Sequence, residues 1–331
     1  MKKIYILPVL IMLIFSGCSE NKIQSSSKDI FAMDTYMNIK AYGKNSENAV
    51  SQSANEIKRL ESIFSAVESG SDIYRINNSE SAEVNSDTLK ILSESLEICK
   101  STGGSLDITV YPLVKLWGFT TGEYKVPEKR EIENCLKNVD FNNISISGNS
   151  VSVPPDCAVD LGAVAKGYAS DRIAEIFREN NIESGIINLG GNVYIYGSER
   201  AVSVRNPFSP DEIAGTLKVS DKAVVTSGSY ERYFTGSDGK NYCHIIDPET
   251  GYPADNGLVS VTVTGESGMY CDALSTALFV MGKEKSIEYW KKHYKNFDMI
   301  LIDSNKKIYV TENINFESKT DSEIIKIEQK D

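Results

Sequence analysis

The sequence predicts an α+β fold, a single large domain of mixed helices and largely antiparallel sheets. Three observations predict it. The chain has 331 residues, 41% of them hydrophobic, enough to bury a substantial core. Helical periodicity marks several separate segments, while strand signals dominate from Ile186 to Val263, interrupted by Gly190-Gly191, Asn206-Pro207 and Asp247-Pro248. No fixed repeat period is visible, and both halves mix helices with antiparallel strand signals.

The chain opens with Met1-Lys2-Lys3, an apolar run from Ile4 to Phe15, then Ser16-Gly17-Cys18. This is the order of an export signal. The run, roughly 12 residues, is too short to span a bilayer, which takes roughly 20. Cys18 directly after two small residues, with polar Ser19-Glu20-Asn21 behind it, resembles a bacterial lipobox, with Phe15 where an aliphatic residue is usual. Residues 1–17 are therefore read as a lipoprotein signal peptide and Cys18 as the lipidation site. A protein so processed is extracytoplasmic and tethered to the outer face of the membrane by acyl chains. Residues 18–29 read as a flexible Ser-, Lys- and Asn-rich tether, 30–312 as the catalytic domain, and 313–331 as a charged, frayed tail.

Within the domain, Thr35 to Tyr42 alternates as a strand. Ser46 to Ser65 and Ser86 to Thr102 carry apolar residues at three- and four-residue spacing, as amphipathic helices do. Ile144 to Val153 alternates on both sides of Gly148-Asn149, a hairpin signal. Asp160 to Asn180 reads as a turn entering a helix, since Gly162 and Gly167 lie early and Ile173, Ile176 and Phe177 recur helically. Two further helices, Cys271 to Met281 and Lys285 to Tyr294, precede a hairpin at Ser304-Asn305.

Charge and cysteines narrow the function. A formal net charge of -11 leaves no basic footprint for a nucleic-acid backbone, so nucleic-acid binding is not expected. An anionic nucleotide would also be repelled, so any phosphate site must be built locally from a cation, backbone N–H groups or a metal. Beyond Cys18 the cysteines are Cys99, Cys135, Cys157, Cys243 and Cys271, none in a CxxC pair; an odd count leaves at least one without an intramolecular partner.

Four segments carry candidate chemistry. Asp272 and Thr276 are four apart, so on a helix they share one face, and a carboxylate with a hydroxyl is a hard-oxygen pair suited to magnesium or, more plainly, a capping arrangement. Asp160-Leu161-Gly162-Ala163-Val164-Ala165-Lys166-Gly167 pairs small residues at a helix start with a lysine, which suits an anion or simply a packed turn; it lacks the spacing of a Walker A loop. Asn188-Leu189-Gly190-Gly191-Asn192 turns sharply at a strand end, admitting a flavin ring or only a tight turn. His244, one of two histidines, starts a short strand that breaks at Asp247-Pro248, where it can act as a general base or bond to backbone. His293 sits among lysines and reads as a solvated helix residue.

Taken together these segments resemble the ApbE family, the FAD:protein FMN transferases, over roughly Asp29 to Thr311. Phe31-Ala32-Met33-Asp34-Thr35, Gly104 to Thr109 with Leu116-Trp117-Gly118-Phe119, Asp160-Leu161-Gly162 through Lys166-Gly167-Tyr168, Asn188 to Gly191, Thr226-Ser227-Gly228, His244 to Pro253 and Asp272 to Thr276 occur in the family's order. Each piece is common, but the seven in sequence are not. The resemblance implies an ApbE-type, T-fold-like domain that uses Mg2+ and takes FAD as substrate. It implies that the Ala163 carbonyl and the side chains of Asp272 and Thr276 hold the metal, and that His244 accepts a proton. FAD contacts would come from Met33, the turn of Ser105, Leu106 and Asp107, Asp160, Lys166 and the Ile246 backbone. Val67 stands where the family usually carries a flavin-site tyrosine, which bears on FAD retention and on the balance between transfer and hydrolysis.

The reaction so implied is attack of an acceptor protein's Thr or Ser hydroxyl on the FMN phosphorus of FAD, with AMP leaving. The acceptor would be an extracytoplasmic flavoprotein, such as a subunit of an electron-transport complex. If water attacks instead, the same site is an FAD pyrophosphatase. A non-catalytic FAD-binding lipoprotein would tolerate replacement of Asp272, and a structural surface lipoprotein would bind no flavin.

Overall fold

The computed structural model describes residues 23–209 and 211–329. The signal peptide, the lipidation site Cys18 and the first residues of the tether lie outside the described residues.

The centre of the molecule is a nine-stranded sheet, in spatial order Ser25–Ala32, Thr35–Tyr42, Ser184–Asn188, Asn192–Tyr196, Lys222–Gly228, Leu258–Gly265, Asp298–Asp303, Ile308–Thr311 and Ile324–Ile327. Neighbours are antiparallel except the last pair, which is parallel. The helices Ser46–Phe64, Ala165–Glu179 and Gly268–His293 pack on one face. The three-stranded sheet of Arg200–Arg205, Ile213–Val219 and Phe316–Ser318 covers the other. The expected α+β architecture is therefore present, with a second layer of strands behind the main sheet.

Two covered faces explain why several strands read as unbroken apolar runs. Side chains alternate sides along a strand. Ala223, Val225, Met299 and Leu301 accordingly join the helix-side core, while Val224, Ile300 and Ile302 join the core under the small sheet. A third cluster gathers Leu113, Phe119, Ile132 and Ile246 around Trp117, whose indole N–H donates to the Gly251 carbonyl at 2.9 Å.

The expected helices and hairpins lie at Ser46–Phe64, Ser86–Ser101, Ala165–Glu179 and in the strand pairs Ser145–Ser147 with Ser150–Ser152 and Asp298–Asp303 with Ile308–Thr311. The last two helices form Gly268–His293, broken at Gly282, whose φ of 76° no helix interior adopts. Among the described residues no helix is long and apolar enough to cross a membrane.

Three expectations are corrected. The tether does not extend to residue 29: Ser25–Ala32 is an edge strand paired residue for residue with Thr35–Tyr42, so its polar side chains face solvent while its backbone is bonded. The tail from 313 is not frayed, because Phe316–Ser318 and Ile324–Ile327 each complete a sheet and Ile314 and Ile327 are buried. His293 is not simply solvated; its ring stacks on Tyr289 at 4.2 Å and its Nδ1 meets the Tyr289 carbonyl at 2.9 Å. All five described cysteines are free thiols.

Candidate active site

One large cavity, about 1290 Å³, opens on the helix-side face. Its wall contains every site residue expected inside the domain: Met33, Val67, Ser105, Leu106, Asp107, Asp160, Ala163, Lys166, His244, Ile246, Asp272 and Thr276. Segments separated by more than two hundred residues thus meet in one space.

The turn before Ala165–Glu179 supplies the first wall. Asp160 accepts the Gly162 amide at 3.0 Å, and its own amide donates to the Ile108 carbonyl at 2.8 Å, tying this turn to the 105–109 turn. In the latter, Asp107 is buried and its two oxygens accept Thr109 N, Thr109 Oγ1 and Phe141 N. Its carboxylate is therefore spent on shaping the turn that Ser105 and Leu106 present to the cavity.

The Gly268–His293 helix supplies the second wall. Its N-cap is Ser267, so Asp272 is no cap of its own helix; it reaches across to accept the Gly167 amide at 2.8 Å. Thr276 follows one turn later, its Oγ1 3.4 Å from Ser227 Oγ, which itself lies 2.8 Å from Ser275 Oγ. The crossing of the two helices demands glycine, since a Cβ on Gly167 would stand 2.3 Å from the Gly268 carbonyl oxygen. The Gly190 turn is equally tight: φ is +71°, and a Cβ there would sit 2.1 Å from Thr35 Oγ1.

The electrostatics favour an anion beside a cation. Burial pushes the Asp272 carboxyl above the usual carboxylate range, opposed by Lys166, the Gly167 amide and Asn192. Burial likewise raises Asp160, opposed by the Gly162 amide and then Lys166. Glu231 is pushed up to about 7, chiefly by the protein crowding it even though its side chain opens on the cavity, with Lys166 pulling it back. Lys166 is the cation common to all three.

His244 lies half-buried in the wall, and burial lowers its pKa to about 4. Its Nδ1 stands 3.2 Å from the Arg232 carbonyl. A carbonyl only accepts, so the bond places the proton on Nδ1 and leaves Nε2 as the basic nitrogen.

Among the described residues, no group of three or more His, Cys, Asp or Glu could hold a metal alone. The donors that do converge are one buried carboxylate, a hydroxyl and turn backbone. That set suits magnesium, which takes one or two carboxylates and fills its shell with water and substrate phosphates. One observation agrees with such a fit: buried Asn192, close to Asp272, leaves both side-chain polar atoms without a well-formed hydrogen bond.

Sequence reasoning missed Glu231 and Arg232, and took Asn192 only as the end of the Gly190-Gly191 turn. Glu231 and Arg232 come three and four residues after Gly228 of the Thr226-Ser227-Gly228 run, and nothing in their spacing marks them as cavity residues.

Comparison with known proteins identifies the family. The model of the ApbE family matches residues 33–301. The chain is 31% identical over 300 residues to an FAD:protein FMN transferase from Klebsiella pneumoniae, covering 88% of this chain and 93% of that one. It is 34% identical over 244 residues to one from Vibrio cholerae, covering 70% and 72%. Among solved structures, the ApbE protein from Thermotoga maritima superposes with a TM-score of 0.82 at 32% identity, over 87% of this chain and 97% of that one. The flavin transferase ApbE from Vibrio cholerae gives 0.77 at 28% identity, again over 87% and 97%. Since the matched stretch holds both helices that cross at Gly167 and Gly268 as well as the strand end that carries His244, the chain belongs to the ApbE family.

Proposed function

We propose that the protein transfers the FMN half of FAD to a Thr or Ser hydroxyl of an acceptor flavoprotein and releases AMP. The observation that carries this reading is the meeting of Asp160, Lys166, His244, Asp272 and Thr276 around one cavity large enough for a dinucleotide.

In this reading Asp272, Thr276 and the Ala163 carbonyl would hold Mg2+, which when bound would offset charge developing on a diphosphate. Lys166, at the start of its helix, offers a fixed positive charge to the same phosphates. His244 Nε2 takes the proton from the acceptor hydroxyl. The hydroxyl oxygen forms a bond to the FMN phosphorus, the bond from that phosphorus to the bridging oxygen breaks, and its electron pair departs with AMP. Met33, in the turn after the edge strand, and the 105–107 turn line the space available to the flavin end.

FAD hydrolysis is the second reading, and Val67 favours it. This side chain is 67% exposed at the cavity wall, offering no aromatic surface for an isoalloxazine ring. A loosely held flavin admits water. The test is incubation of the purified protein with FAD, Mg2+ and an acceptor domain, followed by the acceptor's mass after denaturation. A gain of one FMN supports transfer; free FMN and AMP with no mass change would replace it by hydrolysis. We further propose that Cys18 is lipidated, which would hold the enzyme at the outer membrane face beside membrane-bound electron-transport acceptors.

A further inference from the structure

The two helices that meet beneath the cavity exchange carboxylates. Asp171, on Ala165–Glu179, accepts the Gly268 amide at 2.5 Å, the Met269 amide at 3.0 Å and the Ser267 hydroxyl at 3.0 Å. Asp272, on Gly268–His293, accepts the Gly167 amide in return. Each helix therefore caps the first turn of the other, with the Gly167–Gly268 contact between the two clasps.

The first turn of Gly268–His293 has its orphan donors fully accounted for. The Gly268 and Met269 amides go to Asp171, Tyr270 N to Ser267 Oγ and Cys271 N to the Ser267 carbonyl. Removing the Asp171 carboxylate would orphan two amides and the cap hydroxyl at once. Asp171 itself does not line the cavity. What it joins is nevertheless the two halves of the proposed donor set: Ala163 and Lys166 lie at the start of its own helix, Asp272 and Thr276 on the helix it caps. Met269 and Asp272 are three residues apart, about 4.5 Å along the axis. A slide of the capped turn therefore carries the carboxylate with it.

We propose that Asp171 is a positioning residue for metal binding, setting the separation between the 163–166 turn and the Asp272–Thr276 face. The inference rests on the metal-dependent transfer proposed above. Its action parallels the outer-shell partners of metal ligands, whose loss costs affinity without touching the ion.

The test uses Asp171→Asn and Ser267→Ala in the full chain, with Mn2+ as probe. Mn2+ binding in the presence of FAD is read by electron paramagnetic resonance, alongside the Mg2+ dependence of FMN transfer and the melting temperature. The Asn variant turns one acceptor oxygen into a donor facing other donors, so its Mn2+ Kd and half-saturating Mg2+ should rise by roughly tenfold or more. Its rate should return toward the parent's at saturating Mg2+. Ser267→Ala, which leaves both backbone bonds in place, should give a smaller rise of the same kind. Thr311→Val, which removes a hydroxyl bonded to Asp298 near the far edge of the strand order, serves as a control for lost stability and should leave Mn2+ binding unchanged. Parent-like Mn2+ affinity in both cap variants, or an equal loss in Thr311→Val, overturns the proposal while leaving the function intact. A parent protein that binds no Mn2+ and transfers without divalent ions overturns both. Should the Asn variant fail to fold, Ser267→Ala decides alone.

Discussion

His244 donates twice to the carbonyl of Arg232, through its backbone amide at 3.0 Å and through Nδ1 at 3.2 Å. The double bond fixes backbone and ring together, so the imidazole has little freedom to swing. It also selects the tautomer with an unprotonated Nε2. The Arg232 guanidinium is held separately, donating to the Phe119 carbonyl at 2.8 Å and pairing with Asp34 at 3.5 Å.

The first prediction concerns this histidine. His244→Ala should lower FMN transfer by roughly a hundredfold or more, the usual size of a lost general base, while FAD binding persists. The sign of the pH effect follows from burial. The folded pKa, about 4, lies below the ordinary 6.5, so the base stays neutral as pH falls through 6.5. The acidic limb of kcat/KM should therefore approach about 4, and a limb centred near 6.5 would contradict the assignment. The stability sign is the reverse: below 6.5 the unfolded chain takes up a proton the folded one resists, so the folded protein loses stability on acidification. His244→Asn should soften that loss in acid denaturation curves.

The second concerns Asp272. In Asp272→Asn the Gly167 amide can still meet an oxygen, but the charge is gone. Transfer should fall by at least roughly a hundredfold, from loss of several kcal/mol of charge stabilisation. Stability should hold or rise, because burial disfavours the ionised carboxylate in the folded protein. Calorimetry makes the contrast sharp: with FAD already present, adding Mg2+ should raise the melting temperature of the parent further and leave the variant unmoved. An equal shift in both would remove Asp272 from the metal site.

Much of this was legible in the chain, for identifiable reasons. Ser46–Phe64 and Ser86–Ser101 each bury one stripe, so their period is visible. Asp160, Lys166, Asp272 and Thr276 sit in short runs whose composition itself suggests anion or metal binding. Asp171 left no such trace, since one acid among helix residues looks the same capping a distant helix as facing water. Asn192 is similar: a single polar residue after two glycines reads as turn. The last strand was missed because Ile324-Ile325-Lys326-Ile327 is only four residues long between charged neighbours and buries a single side chain well.

The third prediction tests the open flavin wall. Val67→Tyr should place an aromatic face where the exposed valine now stands. Stacking worth about 0.5–1.5 kcal/mol would tighten the FAD Kd roughly two- to tenfold. If hydrolysis competes because flavin is held loosely, the ratio of free FMN to acceptor-bound FMN should fall in parallel. Fluorescence quenching of FAD measures the first effect and product chromatography the second; unchanged affinity would mean that residue 67 does not face the ring.

The fourth prediction tests the tail as part of the fold. Ile327 pairs with Thr311 in the parallel pairing at the edge of the main sheet and is 5% exposed against the helix-side core. Around it, Lys326 Nζ donates to the Ile314 carbonyl at 2.8 Å and the Glu312 amide to the Ile327 carbonyl at 3.0 Å, stitching the last strand to the turn it follows. Ile327→Ala should therefore cost about 2–4 kcal/mol through lost burial and the cavity left behind. Urea unfolding should show it as a lower midpoint with an unchanged slope, because the two-sided core still unfolds as a unit. A frayed end would show no change at all, and truncation before Ile324 would then be silent too, whereas the paired strand predicts a larger loss than the point substitution.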